Sequence, residues 1–302
     1  MKRDFISLYD WTDQELRQLL ERSKWLKERQ KRGEIWRPLE GKTLAMIFEK
    51  PSTRTRVSFE VAMVQLGGYP IYLSANETQL ARGESLPDTA RVLSRYVDAI
   101  VVRTFEHWKV EELARHASVP VINALTDLLH PCQALSDVFT IWEKLGRYEE
   151  VKMAYVGDGN NVANSLIEAA LRFGFELKIG CPEGYEPDKN ILERSLREGA
   201  RVEVLHDPKE AVKGAEVLYT DVWTSMGQES ERERRLQVFR PYQLNRDLVE
   251  LASPGVVVMH CLPAHRGEEI TNEVMDGPWS VVFDQAENRL HVAKAILEFL
   301  MR

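Results

Sequence analysis

Short apolar runs alternate with amphipathic helical patterns along almost the whole chain. The pattern predicts an opening helix over 12–30 and later helices over 87–96, 110–116 and 131–145. Strands are predicted in two series, at 43–48, 69–73, 99–102 and 119–122, then at 151–156, 177–179, 202–205, 217–219, 256–259 and 281–283. Strands that alternate with helices at this spacing form parallel sheets covered on both faces. The sequence therefore predicts an α/β fold with two doubly wound parallel-sheet domains and a boundary near 145–150.

Composition and charge exclude several classes of protein. The 302 residues carry a net charge of −7 without a long basic block, which argues against general binding to nucleic acid or to a membrane. No apolar run approaches the length of a membrane span. Cys132, Cys181 and Cys261 form no CxxC pair, so we expect neither a disulfide framework nor a structural metal site. The N-terminal segment lacks the pattern of a signal peptide, and we expect a cytoplasmic protein.

The first candidate site lies between the predicted strand 43–48 and a predicted helix. It combines one proline, three hydroxyl side chains and two arginines, namely Pro51, Ser52, Thr53, Thr55, Arg54 and Arg56. A helix N-terminus offers unpaired backbone N–H groups and a partial positive charge. Hydroxyls and guanidiniums added to such a turn are typical of a site for an oxyanion such as phosphate. The alternative is an ordinary helix cap with solvated arginines.

Three more candidates lie in the first half of the chain. Arg103 ends a predicted strand, at the edge of a parallel sheet where ligands collect. His130 precedes the proline that begins a helix, and Gln133 follows one turn inside that helix. A neutral imidazole and an amide can both donate a hydrogen bond to a carbonyl oxygen. Alternatively, Arg103 is solvated and His130 only caps the helix.

The second series of strands also has polar residues at strand ends. The sequence Gly-Asp-Gly-Asn-Asn at 157–161 lacks the third glycine and the ribose-binding acid of a dinucleotide site, and predicts a tight turn before a helix. Segment 221–227 is either a mobile flap or a plain surface loop. Cys261, in the run 260–263, is either a nucleophile or a small buried hydrophobe. Arg289 begins the last helix, and its spacing alone indicates a surface arginine.

Together these segments resemble the aspartate/ornithine carbamoyltransferase family over essentially the whole chain. The runs 52–55 and 130–133 are similar to the family's two carbamoyl-phosphate motifs. Asp221 with 225–227, and the run 260–263, are similar to the motifs of its ornithine branch. The resemblance implies transfer of the carbamoyl group of carbamoyl phosphate to the δ-amine of L-ornithine, which gives L-citrulline and phosphate in arginine metabolism, with a biosynthetic or a catabolic role left open. We expect no cofactor and no metal, because arginines supply the positive charge.

The resemblance also implies roles for individual residues. The catalytic groups would be Arg54, Arg103, His130 and Cys261. Carbamoyl phosphate would be bound by Ser52, Thr53, Arg54, Thr55, Gln79, Arg103, His130, Gln133, Cys261, Leu262 and Arg289, with Gln79 reaching in from a neighbouring subunit. Ornithine would be bound by Asn161, Asp221, Ser225 and Met226.

The organisation that the resemblance implies has two domains with the active site in the cleft between them. Residues 1–147, joined by the C-terminal helix 287–302, would bind carbamoyl phosphate, and 148–286 would bind ornithine. The assembly would be a homotrimer or a multiple of it. The only other partners expected are the two small substrates, with neither nucleic acid nor membrane.

Other functions remain open from the sequence. An aspartate carbamoyltransferase would need basic residues for a second carboxylate. A putrescine or N-acetylornithine carbamoyltransferase would leave Asp221 without an α-amine to bind. A non-catalytic homologue that binds carbamoyl phosphate is disfavoured by the complete set of Arg54, Arg103, His130, Gln133 and Arg289. A dehydrogenase would depend only on the glycine turn at 157–159.

Overall fold

The computed structural model of the chain describes residues 2–75, 78, 83–225, 227 and 229–302. The chain divides into two compact units, Met1–Phe139 with Glu287–Arg302, and Thr140–Ala286. The division between Phe139 and Thr140 lies upstream of the boundary expected from the sequence. Two of the expected ligand contacts, Gln79 and Met226, lie outside the described residues. None of the helices in the described ranges combines the length and apolar composition that crossing a membrane requires.

The first unit is built on a parallel sheet. Its strands are β1 (Thr43–Phe48), β2 (Tyr69–Ser74), β3 (Ala99–Arg103) and β4 (Val121–Leu125). Its helices are α1 (Asp13–Lys31), α2 (Thr53–Gln65), α3 (Leu86–Leu93), α4 (His107–His116) and α5 (Pro131–Leu145), which begins here. In the described part of the chain the strand order is β2-β1-β3-β4. Each strand pairs in parallel with its neighbour, which confirms the predicted fold class for this unit.

Local chemistry explains where these elements begin and what they bury. Thr12 caps α1 in a capping box with Glu15, in which the Thr12 side chain accepts from the Glu15 N–H and the Glu15 carboxylate accepts from the Thr12 N–H. Along β1 and β3 the side chains are almost all buried, as expected for strands covered on both faces. One apolar cluster of this unit includes Ile47 and Val102 from these strands. Residues of α3 and α4, such as Ala90 and Val110, belong to the same cluster, so these helices pack against the sheet.

The second unit repeats the same architecture with one more strand. Its strands are β5 (Lys152–Val156), β6 (Glu176–Gly180), β7 (Arg201–Leu205), β8 (Val217–Thr220) and β9 (Val257–His260). The helices are α6 (Asn161–Phe173), α7 (Lys189–Arg197), α8 (Pro208–Val212), α9 (Arg232–Phe239), α10 (Arg246–Val249), α11 (Asn272–Met275) and the start of α12 (Val282–Met301), whose residues from Glu287 onward belong to the first unit. Among the described residues the parallel strand order is β7-β6-β5-β8-β9.

One predicted strand is wrong. The apolar run 281–283 is not a strand, because Ser280 forms only an isolated bridge with Val258 and α12 begins at Val282. Three apolar residues fit the start of a buried helix as well as a short strand, and periodicity cannot separate the two.

The strand order places the loops that carry the candidate residues. In the first sheet the chain changes direction between β1 and β3, and in the second between β5 and β8. Open parallel sheets bind ligands at the carboxyl edge beside such a change of direction. Phe48 of β1 pairs with Arg103 of β3, so the loop before α2 and the end of β3 lie at one edge. Each unit therefore presents its polar loops where a ligand is expected.

Candidate functional site

The start of α2 forms the centre of the site in the first unit. Ser52 is the N-cap, and its hydroxyl accepts a hydrogen bond from the Thr55 N–H at 3.2 Å. This bond satisfies one of the N–H groups that a helix leaves free at its first turn. Arg54 is half-buried in the same turn, and Thr53 is exposed. The cap therefore fixes a turn that carries a partial positive charge, next to the guanidinium of Arg54 and the hydroxyl of Thr53.

Two guanidinium groups converge on the hydroxyl of Thr55. Nη1 of Arg103 and Nη2 of Arg289 each donate to Thr55 Oγ1 at 3.4 Å. Arg289 is only 5% exposed, so the surface role that its spacing indicates is wrong. Within this unit the structure thus brings together the end of β3, the start of α2 and the last helix. Two guanidinium groups beside one hydroxyl concentrate positive charge here, which favours the binding of an anion.

Gln133 holds Arg289 in this position. Its amide oxygen accepts from Arg289 Nη1, and its amide nitrogen donates to Asp137 Oδ1 at 2.8 Å. Gln133 and Asp137 are both buried on α5. The pair orients the guanidinium, and Asp137 is a contributor that the sequence analysis did not identify.

The environment of His130 keeps its imidazole neutral. The side chain is 5% exposed. Burial is the main cause that holds its pKa well below the usual 6.5, and the charges of Arg289 and Arg103 act in the same direction. A neutral imidazole beside two guanidiniums can donate one hydrogen bond to an oxygen without adding a charge.

Cys132 does not behave as a nucleophile. It is buried, its thiol donates to the Asn123 carbonyl at 3.3 Å, and burial raises its pKa to about 12. A thiol with this pKa stays protonated at neutral pH and packs as a small apolar side chain.

In the second unit, Asp221 lies at the centre of a set of polar contacts at the carboxyl edge of β8. It is 6% exposed. Its Oδ2 accepts from Asn160 Nδ2 at 2.8 Å, and its Oδ1 accepts from the thiol of Cys261 at 2.9 Å and from the Val222 N–H at 2.8 Å. The loops after β5, β8 and β9 therefore meet at one carboxylate.

Asn160 contacts Asp221, whereas Asn161 was the residue expected to bind ligand. Asn160 caps α6, and its side-chain oxygen accepts from the N–H groups of Val162 and Ala163 at 2.9 and 3.3 Å. Asn161 is the first residue of the helix and is half-buried, as is Ser225 in the loop after β8. The expected ligand roles of Asn161 and Ser225 remain predictions.

A buried histidine and glutamate fix the loop that contains Cys261. His260 Nε2 lies 3.0 Å from Glu269 Oε1, and both side chains are fully buried. The Leu262 N–H donates to His260 Nδ1 at 2.9 Å, so the ring proton is assigned to Nε2, which donates to Glu269. The His260 N–H donates to Gln285 at 2.9 Å. These bonds hold Cys261 and the half-buried Leu262 in place, and the sequence analysis missed Glu269 and Gln285.

The side chains of Asp221, His260 and Cys261 lie close enough together for a metal site to be considered, with ligand atoms within 4.8 Å of one another. The hydrogen bonds do not fit that use, because both ring nitrogens of His260 already have partners. Asp221 and Cys261 alone would leave a transition metal short of protein ligands.

A buried ion pair connects two of the loops around Asp221. Arg235 Nη1 lies 3.1 Å from Asp158 Oδ2 and donates to the Trp223 carbonyl at 2.8 Å. Arg235 and Asp158 are each 6% exposed. Burial raises the pKa of Asp158 to about 6 although the Arg235 charge opposes that shift. Arg235 on α9 thus ties the turn after β5 to the loop after β8.

Known proteins match this fold along its full length. Residues 3–143 match the description "Aspartate/ornithine carbamoyltransferase, carbamoyl-P binding domain", and 149–300 match "Aspartate/ornithine carbamoyltransferase, Asp/Orn binding domain". The chain belongs to the aspartate/ornithine carbamoyltransferase family. A curated ornithine carbamoyltransferase of Syntrophus aciditrophicus is 58% identical over 100% of both chains. An anabolic ornithine carbamoyltransferase of Pyrococcus furiosus is 58% identical over 99% of this chain and 96% of its own length.

Solved structures of the family agree with the fold. The structure of ornithine carbamoyltransferase from Pyrococcus furiosus has a TM-score of 0.96 and 57% identity, and the match covers 99% of this chain and 97% of that one. The Thermus thermophilus enzyme gives a TM-score of 0.91 at 46% identity and covers 100% of both chains. The family assignment made from the residues at strand ends is therefore confirmed.

Proposed function

We propose that this member of the carbamoyltransferase family transfers the carbamoyl group of carbamoyl phosphate to the δ-amine of L-ornithine. The products would be L-citrulline and phosphate, as in arginine biosynthesis. The convergence of Arg103 and Arg289 on Thr55 at the start of α2 carries the proposal, because a dianionic leaving group needs such a site. High identity to ornithine carbamoyltransferases over the full length supports ornithine as the acceptor.

The first unit would bind carbamoyl phosphate. The phosphate group would accept hydrogen bonds from the first turn of α2 and from its hydroxyls, Ser52, Thr53 and Thr55. Arg54, Arg103 and Arg289 would stabilise the charge that accumulates on phosphate as the C–O bond breaks. His130, held neutral by burial and by the two nearby guanidiniums, would donate to the carbonyl oxygen as it becomes negative. Gln133 would act mainly by orienting Arg289, since its amide oxygen is already occupied.

The second unit would bind ornithine. Asp221 would pair with the ammonium group of the amino acid, and Asn161, Ser225 and Met226 would contact its amine and carboxylate. Cys261 and Leu262 would line the path of the side chain and contact the carbamoyl group. The fixed geometry of 260–262 supports this role, because a preorganised backbone positions a reactive amine at little entropic cost.

The chemistry requires the δ-amine in its neutral form. The amine forms a bond to the carbonyl carbon, the bond to phosphate breaks, and the amine loses a proton. An alkyl amine with a pKa of about 10.4 is neutral at pH 7 in roughly one molecule in 2500, which costs about 4.6 kcal/mol. The enzyme must therefore bind the minor form or lower the pKa of the amine by removing water from it.

Formation of the carbamoylated amine from carbamoyl phosphate, which is citrulline when the amine is ornithine, tests the function directly. Ornithine, putrescine, N-acetylornithine and aspartate would be assayed in parallel at equal concentrations. We expect turnover with ornithine and at least a hundredfold lower kcat/KM for the other three amines. If putrescine is the preferred amine, ornithine is not the substrate. If none of the four amines is carbamoylated, the protein is better explained as a homologue that only binds carbamoyl phosphate.

We also propose the finer organisation expected from the resemblance. Residues 1–147 with 287–302 would bind carbamoyl phosphate and 148–286 would bind ornithine, in a cytoplasmic homotrimer or a multiple of it. Exposed apolar side chains on α2 and on the edge strand β2 support self-association, with Val57 49%, Tyr69 69% and Ile71 37% exposed. Gln79 would act across that interface. Light scattering of the wild type and of Tyr69→Lys tests this, and a monomeric wild type would contradict it.

A further inference from the structure

The first unit contains a cavity of about 370 Å³ away from the start of α2. It is lined by α1, by 33–37, by the end of α2 at 64–66, and by one residue of α12, Lys294. Along α2, the lining residues at 64–66 lie roughly 14–17 Å from Thr55. The size lies within the range of small-molecule sites. No role in the proposed reaction is assigned to any residue of its lining.

Lys294 differs from the other buried lysines. Lys27, Lys50 and Lys294 are each 4% exposed. Lys27 pairs with Glu287 at 3.3 Å, and Lys50 pairs with Asp127. Lys294 donates to the amide oxygen of Gln30, and no described carboxylate lies within 4.0 Å of it. A buried ammonium without a carboxylate partner is costly, and a ligand anion would compensate its charge.

The other charged residues of the lining add to this positive charge. Arg29 and Arg37 line the cavity beside Lys294. Glu34 also lines it, but its carboxylate contacts Arg32 at 2.6 Å and Arg29 at 3.3 Å. The lining therefore has three cations against one acid that is already paired. Burial lowers the pKa of Lys294 to about 8, so in most protein molecules the Lys294 side chain is still a charged ammonium group at pH 7.

Part of the remaining wall is apolar. Trp36 packs edge-on against Trp25 with ring centroids 5.3 Å apart, and its indole N–H donates to Glu298 at 3.1 Å. Leu26 and Leu66 are buried on the same lining. A flat apolar group fits such a wall, and the anionic group would then contact Lys294.

We propose that this cavity binds a small organic anion, in which a carboxylate or phosphate group contacts Lys294 and a flat apolar body packs beside Trp36. The cavity lies in a different part of the first unit from the start of α2, and anion binding to it can be measured without turnover.

Three probes of similar shape test the proposal by isothermal titration at pH 7. Benzoate and phenyl phosphate carry the two candidate anionic groups, and benzamide is their neutral counterpart. We expect at least one anion to bind ten times more tightly than benzamide, and the comparison between the two anions identifies the preferred group. Equal affinity for all three probes, or no binding of either anion, would overturn the proposal.

Substitutions locate the binding. Lys294→Met and Lys294→Gln should each weaken the preferred anion at least tenfold and leave benzamide unchanged. Lys189→Met is the matched control, since Lys189 is exposed in the second unit and is absent from the cavity lining. Both Lys294 variants should melt no lower than the wild type, because each removes a buried charge. Undiminished anion binding to both variants would place the anion elsewhere, for example at Thr55, and would refute the inference.

Discussion

The thiol of Cys261 donates a hydrogen bond to Oδ1 of Asp221 over 2.9 Å. Asn160 donates to the other oxygen of the same carboxylate. These donors are neutral, and among the described residues no cation contacts the Asp221 carboxylate. A buried carboxylate in this condition attracts a cationic ligand strongly. The ammonium group of an amino acid is the partner proposed for this carboxylate.

Asp221→Asn should therefore weaken ornithine and spare carbamoyl phosphate. The substitution keeps the shape and removes the charge, so we expect KM for ornithine to rise on the order of 10²-fold, equivalent to about 2–3 kcal/mol. Isothermal titration with carbamoyl phosphate should give an unchanged Kd. Asp247→Asn is the control, because Asp247 is exposed on α10. Equal losses for both ligands would contradict the division of roles between the units.

Arg54→Ala should lower kcat and leave the fold intact. Arg54 is half-buried in the first turn of α2, and its proposed role is to stabilise charge on the leaving phosphate. Loss of one such group typically costs about 10²–10³ in kcat. Arg56→Ala is the matched control two residues along, since Arg56 contacts Glu60 and the Tyr72 ring instead. If the Arg54→Ala variant forms citrulline at the wild-type rate, the phosphate site has been misassigned.

The sequence predicted candidate residues at the strand ends, but not the contacts between them. Residues such as Ser52 and Asp221 follow apolar runs, and periodicity finds such runs from neighbouring residues alone. The bond between Gln133 and Arg289 joins residues 156 positions apart, and only the folded chain brings them together. For the same reason, the spacing of residues along the sequence wrongly indicated that Arg289 lies on the surface.

The pair Asn160 and Asn161 shows a finer limit. Both amides were predicted at the start of α6, yet only one of two adjacent residues can occupy the N-cap. Asn160 occupies it and contacts Asp221. A shift of one residue at a helix start is within the uncertainty of any boundary read from sequence. The role of Glu269 was missed because its partner, His260, lies on a different element.

The rate with ornithine should rise with pH between 7 and 9, because the attacking amine must be neutral. His130 should not contribute, since burial and the charges of Arg289 and Arg103 hold its pKa well below 6.5. It is therefore neutral over the whole range. We would measure kcat/KM for ornithine and follow the His130 ring by NMR from pH 5.5 to 9. A flat profile with chemistry rate-limiting, or a His130 titration near pH 6.5, would count against this account.

Arg235→Met should destabilise the protein strongly at pH 8 and less at pH 5. The native pKa of Asp158, about 6, lies above the ordinary 3.8, so the folded state favours the protonated form. Asp158 therefore lowers stability as pH rises from about 4 to 6. At pH 8 the substitution leaves a buried carboxylate without its partner, which costs about 3–5 kcal/mol.

At pH 5 most Asp158 is already neutral, and the cost falls toward that of the lost hydrogen bond to Trp223. Urea unfolding at both pH values measures the difference, with Arg234→Met as the control because Arg234 is exposed. Adding Asp158→Asn to Arg235→Met should recover stability at pH 8, since no buried charge then remains. The same loss at pH 5 and pH 8 would mean that Arg235 acts by packing, and that the ion pair does not hold the two loops together.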